Sequence, residues 1–455
     1  MPHRHHPLVA SLLALALAAC SGGGEQVETP EPDTGEQTET SVLETTPEDC
    51  AECHPNHSKD WEGSMHAYAT KDPIFQAMLA KGVAETDGKL DQFCIQCHAP
   101  VASKEGMTPV AVVDGTHAMA LDMESPLIGH GVVCTSCHAA ESVEATLNAE
   151  YTLSKDTLYG PTGAGSEAHT IAQSDLLTDA ILCGACHNVV NPKGALLENT
   201  FSEWYAGPFN DGSADDKSCV DCHMPAYQGE IVEGVEREIH RHTFVGVDLA
   251  LIDDFPDKER QRRLVEELLR TAGKLELRRV PDVNGELALR VDVTNINNGH
   301  ALPSGSTADR QVWVHLRVTD GQGRLVYESG MTDPNGDLMD RVTGHSLTPD
   351  GDPELLLYGS LLFGDDGEHV NFPWQAKRSQ DFLLQPGQTG WREYLIPRVD
   401  LFDVERLEVR AVLKYRTFPP FLIRELKAEG FLEEEAVPSE VPIVDMAEAQ
   451  LSITL

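Results

Sequence analysis

Five short runs decide what this chain can fold into: Cys50/Cys53/His54, Cys94/Cys97/His98, Cys134/Cys137/His138, Cys183/Cys186/His187 and Cys219/Cys222/His223, each spelling C-x-x-C-H. They use ten of the eleven cysteines. Cysteines three apart lie on one face of a helical turn, so a single turn can offer two thiols to the vinyl groups of one haem. The histidine directly after the second cysteine then reaches the iron as its proximal ligand. C-x-x-C-H is the attachment pattern of c-type haem. A structural zinc centre draws on sets of four ligands; five pairs cannot all combine two by two, and zinc gives no reason for a histidine after every second cysteine. A thioredoxin-like dithiol needs one C-x-x-C near a βαβ pattern. The repeats therefore imply five covalent haem c groups, with His54, His98, His138, His187 and His223 as proximal iron ligands.

Covalent haem attachment takes place outside the bacterial cytoplasm, so an export signal is expected. The opening "MPHRHHPLVASLLALALAAC" has a basic start at Arg4, an apolar run over 8–19 and small residues before Cys20. Leu17-Ala18-Ala19-Cys20 resembles a bacterial lipoprotein signal, which implies that residues 1–19 are removed and that Cys20, the one cysteine outside the repeats, carries the lipid. Ser21 after it suits the outer membrane in that analogy. The apolar run is too short to span a bilayer, so an extracytoplasmic body tethered by lipid is expected. Residues 20–47 are rich in Gly, Thr, Pro and Glu and cannot bury enough surface to fold; they read as a self-repelling linker. The formal net charge of −40 argues against nucleic acid and anionic membrane surfaces as partners. It favours redox proteins with basic docking surfaces.

The rest divides by texture. Residues 48–250 hold all five attachment units, with short apolar runs and frequent Gly, Pro, Asp and Ser. The haems themselves are expected to supply the core there, with short helices carrying C-x-x-C-H and loops between. Over 257–274, "DKERQRRLVEELLRTAGK" has helical spacing with Gly273 as its stop, which makes 251–275 a connecting helix. The segments 274–280, 286–295, 311–320, 324–330 and 407–418 show period-two or β-rich patterning, and "DGQG" at 320–323 is a turn. With no cysteines and no interleaved helices, 276–455 reads as an antiparallel β-sandwich. The fold class expected is thus α+β multidomain: a mostly α/loop pentahaem domain followed by that sandwich.

A second histidine on an iron closes the haem to substrate and favours electron transfer. Outside the leader and the five proximal positions the haem region offers His57, His66, His117, His130, His169, His240 and His242, and the C-terminal part adds His300, His315, His345 and His369. His130 is a distal candidate because "GHGVVCTSCH" holds it close to a haem helix; His117 and His240 are further candidates. Met65, Met119, Met123 and Met224 read as packing groups.

Several motifs resemble one family. They are W-x-x-S-x-H-A at 61–67, G-V-x-C-x-x-C-H at 131–138, His169 ahead of C-x-x-C-H-N, the Glu203-Trp204 pair, C-x-x-C-H-M-P at 219–225 and H-x-F-x-G at 242–246. Over 48–250 the chain resembles multihaem c-type cytochromes related to the tetrahaem partner of hydroxylamine oxidoreductase. That resemblance implies His66, His169 and His242 as distal ligands. "NNGHALPSG" at 297–305 resembles members with an appended β-sandwich, where such a loop histidine sits by a haem, which adds His300.

The function expected is a relay of single electrons through bis-histidine haems, with no catalytic residue assigned. The alternatives are a reductase of small nitrogen or sulfur oxyanions with one open haem, and a subunit of a haem filament or conduit. Pentahaem nitrite reductases use a lysine at the attachment position of their catalytic haem, and no C-x-x-C-K occurs here.

Overall fold

The structure, a computed structural model, describes residues 41–163, 169–297, 299–340, 345, 351–438 and 440–455. The leader and Cys20 lie outside the described residues. Residues 41–455 form one compact unit, in which an N-terminal helix-and-loop region adjoins a C-terminal antiparallel sheet region.

In the first region each attachment unit sits on or beside a short helix: Pro47–Ala51, Ile95–His98, Cys134–His138, Ala180–Cys186 and Cys219–His223. Such helices are too short to persist alone, and local capping starts several of them. Thr46 and Asp49 form a capping box at the first, Ser218 and Asp221 at the last, and the Asp179 carboxylate accepts from the Ile181 N–H at the fourth. The folded chain begins earlier than 48. Leu43 is buried, and Val42 N–H donates to Lys155 O at 2.8 Å, so the end of the expected linker belongs to the body.

The connections between attachment helices are more ordered than loops. Among the described residues four two-stranded ladders occupy them, Val110–Val113 with Thr116–Met119, Ala140–Val143 with Tyr151–Leu153, Leu158–Gly160 with Ile171–Gln173, and Val189–Val190 with Leu196–Glu198, and a fifth, Ala226–Val232 with Val235–His240, follows the last attachment helix. The first is closed by Asp114-Gly115 at φ +50° and +81°, a two-residue turn that Asp-Gly favours because both positions need positive φ.

The helix Lys258–Arg270 leads into the second region. Gly273 does not stop it; the helix ends at Thr271, and Gly273 opens the next strand. A Cβ on Gly273 would stand 2.7 Å from Leu413 Cδ2, so glycine allows the strand to close on its neighbour. Gly273–Val283, Glu286–Asn295 and Thr389–Ile396 make a three-stranded sheet. A seven-stranded sheet runs His369–Val370, Leu357–Phe363, Gln311–Asp320, Arg406–Arg416, Val444–Thr454, with Leu325–Ser329 and Arg378–Phe382 paired on its side. Alternate residues fill one common core: Leu287, Leu289, Val291 and Val293 from the smaller sheet, Val312, Val314, Leu316, Val318, Leu407, Val409, Ala411 and Leu413 from the larger.

One helix interrupts this β region. Pro420–Ala428 turns Leu422, Ile423 and Leu426 into a cluster with Ile74, Ala77, Leu79 and Val83 of the helix Pro73–Glu85, together with Phe372 and Trp374. Lys81, 3 % exposed, pairs with Glu85 at 2.6 Å and with Glu429, and Trp374 Nε1 donates to Glu85 at 2.7 Å. The two regions therefore share apolar core. Removing three heavy atoms from this contact by Leu426→Ala is expected to cost about 2–5 kcal/mol, measured by denaturant unfolding followed both at the Soret band and by far-ultraviolet circular dichroism. Because the cluster is shared, both signals should shift together; a shift in one alone would contradict a common core.

Candidate haem-binding sites

Four of the five attachment histidines are held from behind by backbone carbonyls. Nδ1 of His54 donates to Ile231 O at 2.8 Å, of His98 to Ala69 O at 3.1 Å, of His138 to Tyr159 O at 2.9 Å and of His223 to Val245 O at 2.5 Å. A carbonyl oxygen can only accept, so Nδ1 carries the hydrogen and Nε2 presents a lone pair. His242 and His300 are set the same way, by His240 O at 3.0 Å and Ala301 O at 3.0 Å. This backbone anchoring is the usual means of orienting a metal-binding imidazole.

Four of the five attachment rings face a second imidazole. The ring centres of His54 and His169 are 6.3 Å apart, of His187 and His66 6.5 Å, of His138 and His242 6.3 Å, and of His223 and His300 6.4 Å. With metal–nitrogen bonds of about 2 Å and about 1.1 Å from nitrogen to ring centre, two imidazoles sharing one metal stand about 6.2 Å apart. The spacing fits one iron between each pair. Two pairs are nearly parallel, at 13° each, and two are turned by 38° and 37°. His66, His169, His242 and His300 thus each lie opposite a proximal position, although they come from a helix, a loop, the segment after a hairpin and the sheet region.

The second site differs. Phe75 stacks on His98 with ring centres 4.1 Å apart at 16°, and among the described residues no histidine ring stands at pair spacing from His98. Cys94 packs against the apolar cluster built on Ile74, Leu79 and Ile95, and the same cluster takes Phe75, Met78, Phe93, Met107, Met119 and Met123. His130, expected as a distal candidate, is not brought there. It caps the helix Pro126–Gly129, with Nε2 3.3 Å from Glu48. Gly131 takes φ +68° between it and the attachment helix, and among the described residues no attachment-histidine ring stands at pair spacing from His130, whose ring neighbour is Trp61. His117 bonds Asp87 at 2.8 Å, and His240 Nδ1 donates to Met224 O at 2.6 Å; neither faces an attachment ring.

Two side chains to which the sequence assigned no role set this geometry, Glu203 having been noted only as part of a motif pair. The buried Glu203 carboxylate accepts from Ala301 N–H at 3.1 Å and Ser304 Oγ at 2.6 Å, pinning the loop that carries His300. Asp60, 3 % exposed, bonds Arg260 at 2.7 Å and the His242 N–H at 3.3 Å. Within the motifs, Trp61 Nε1 donates to Val132 O at 2.7 Å, and Ser64 caps the helix Met65–Tyr68. His57 packs edge-on to His242 at 4.5 Å.

The sites also lie close to one another. The sulfurs of Cys50 and Cys134, of Cys97 and Cys186, and of Cys183 and Cys219 are within hydrogen-bonding reach. Tyr151 sits within electrostatic range of Cys137, Cys186 and Cys97.

A family described as "Cytochrome c554 and c-prime" matches residues 49–139. The chain is similar in structure to a penta-heme cytochrome c552 from Thermochromatium tepidum, with a TM-score of 0.63, 22 % identity, and coverage of 90 % of this chain and 100 % of that one. No curated protein matches the chain. The partial family match and the fold likeness both support a multihaem c-type cytochrome with covalent haem c.

Burial keeps the imidazoles neutral. It lowers His66 and His242 to about 3 and His57 and His187 to about 4, against an ordinary value near 6.5. The folded state then binds fewer protons than the unfolded chain once the pH is below the unfolded value. Stability is expected to be complete above about pH 6.5 and to fall as the pH drops towards about 4. Denaturant midpoints across that window check this; midpoints that do not move with pH would contradict buried neutral ligands.

Proposed function

We propose that the chain is a pentahaem c-type cytochrome, exported and anchored to the outer membrane through a lipid on Cys20, that relays single electrons between redox partners. The observation that carries this reading is the set of four facing imidazole pairs, which favours closed, six-coordinate irons suited to electron transfer. When bound, haem supplies the one-electron iron couple. The chain's own part is to hold each imidazole in one tautomer, to exclude water from it and to bring successive attachment sites together.

The sulfur contacts favour an order that is not the chain order. The first site adjoins the third, the third approaches the fourth across Tyr151, and the fourth adjoins both the second and the fifth. Cys53 and Cys222 are the exposed attachment cysteines, which favours the first and fifth sites as ends of the relay. Exposed Glu48, Asp49 and Glu52 beside Cys53, and Asp215, Asp216 and Asp221 near Cys222, suit partners with basic docking surfaces.

His98 supports a second reading, in which the second haem is open and binds a small molecule. The aromatic and thioether groups around Cys94 suit a small neutral ligand, or methionine ligation, better than an oxyanion.

Low-temperature electron paramagnetic resonance of the oxidised holoprotein tests both. Four low-spin bis-histidine centres and one different centre are expected. His66→Met, His169→Met, His242→Met and His300→Met should each alter one low-spin signal and spare the others. A variant with all signals unchanged removes that ligand from the scheme. Carbon monoxide binding to the reduced protein at one per chain would favour the open-haem reading; an intact mass without five haem increments would end both.

A further inference from the structure

Glu198 ends the strand Leu196–Glu198, opposite Val189, just past the fourth attachment helix. Its charged neighbours are Arg310 and Asp309, which precede the strand Gln311–Asp320, and Asp248 from the segment joining the two regions. Arg310 Nη2 donates to both Asp248 oxygens, at 3.1 and 2.9 Å, and Nη1 to Ser306 O at 3.0 Å. Asp309, 6 % exposed, accepts from Ser306 Oγ at 2.8 Å. Farther out, Asp72 faces Asp248, and Glu203 and Asp381 line the small cavity beside Leu196 and Leu197.

Three carboxylates thus share one guanidinium, and Asp248 takes both of its Nη2 contacts. In an interior of low dielectric the remaining pair cannot both hold charge cheaply. Burial pushes Glu198 up to about 7 and raises Asp309, against the opposing pull of Arg310; it also pushes Asp72 up to about 7. Of these, Glu198 is the one within electrostatic range of Cys97 and Cys186, and Arg310 lies within range of His187. The cluster therefore stands at the site where the sulfur contacts branch.

We propose that this cluster, through Glu198, takes up one proton when one electron reaches the haem held at Cys183 and Cys186, so that the branch point of the relay is a proton-coupled site. The inference rests on the relay reading. The electron comes from the relay's one-electron donor and takes iron from Fe(III) to Fe(II). The proton comes from solvent and converts the Glu198 carboxylate to a carboxylic acid; one O–H bond forms, none breaks in the protein, and the local net charge is unchanged. The physical cause is that an added negative charge in a poorly screened interior raises the proton affinity of a nearby carboxylate.

Spectroelectrochemical titration of the holoprotein from about pH 6 to about pH 8 tests it, spanning the range in which Glu198 would titrate. The potential of one centre should fall with rising pH, approaching 59 mV for each tenfold drop in proton concentration, the value for a one-electron couple. Glu198→Gln should flatten that slope, while the exposed control Glu368→Gln should keep it. Wild-type potentials independent of pH overturn the proposal, and so does a slope that survives in Glu198→Gln. If low-spin signals are intact in either case, the relay reading stands; absence of the His66/His187 low-spin signal would bring down that reading instead. Should Glu198→Gln not fold, the wild-type reduced-minus-oxidised infrared spectrum decides. A carboxylic-acid carbonyl band gained on reduction is expected, and its absence overturns the proposal.

Discussion

The constraint that most shapes the attachment region is the spacing of its facing imidazoles, four pairs of which stand at the distance at which two neutral imidazoles could share a metal. That separation, about 6.2 Å between ring centres, is narrow, and each ring must offer Nε2 rather than Nδ1. The chain meets the second condition with backbone carbonyls behind six rings. It meets the first by drawing partners from remote segments, so that His54 meets His169 and His223 meets His300. Helices of four to seven residues at the attachment sites have no stability of their own. Their positions are set by what the imidazoles and sulfurs require of the surrounding loops.

The second site shows what happens when that constraint is relaxed. Its histidine is anchored like the others, yet a phenylalanine lies on the ring and the attachment cysteine Cys94 packs against an apolar cluster. The helix Pro420–Ala428 closes this neighbourhood from the sheet region. A site with one histidine keeps its sixth position for another ligand or for none, and an apolar enclosure restricts what can enter. At the other four sites a second imidazole already stands at pair spacing from the attachment ring.

Much of the site was legible because covalent attachment leaves a local signature. The five C-x-x-C-H units are contiguous, and His66, His169, His242 and His300 sit within motifs of fixed spacing. His130 misled because proximity along the chain was taken for proximity to iron, and Gly131 turns the chain between. The period-two segments at 286–295 and 311–320 coincide with strands at the same residues, since alternation is a direct imprint of a half-buried sheet. The helix Pro420–Ala428 was hidden inside β-rich surroundings, and the ladder at 110–119 was hidden by its shortness, although Asp114-Gly115 was a usable turn signal. Asp60 and Arg310 act through partners far away in sequence, so no spacing could have announced them, and Glu203, though part of a motif pair, reveals its hold on the His300 loop only in the fold.

The sheet region is therefore better understood as continuous with the attachment region than as an appendage to it. It places His300 opposite His223, pins that loop through Glu203, supplies Lys81 with Glu429 and brings Arg310 to Asp248 at the joint. A strand framework holds side chains within narrow limits because its core is close-packed and resists displacement. A chain of short helices and loops cannot do this for itself. Setting His300 and the buried guanidinium on the rigid sheet region fixes one end of the attachment region against a stable reference. Burial of like charges around that guanidinium then becomes tolerable, because the loops carrying them cannot move apart to relieve it.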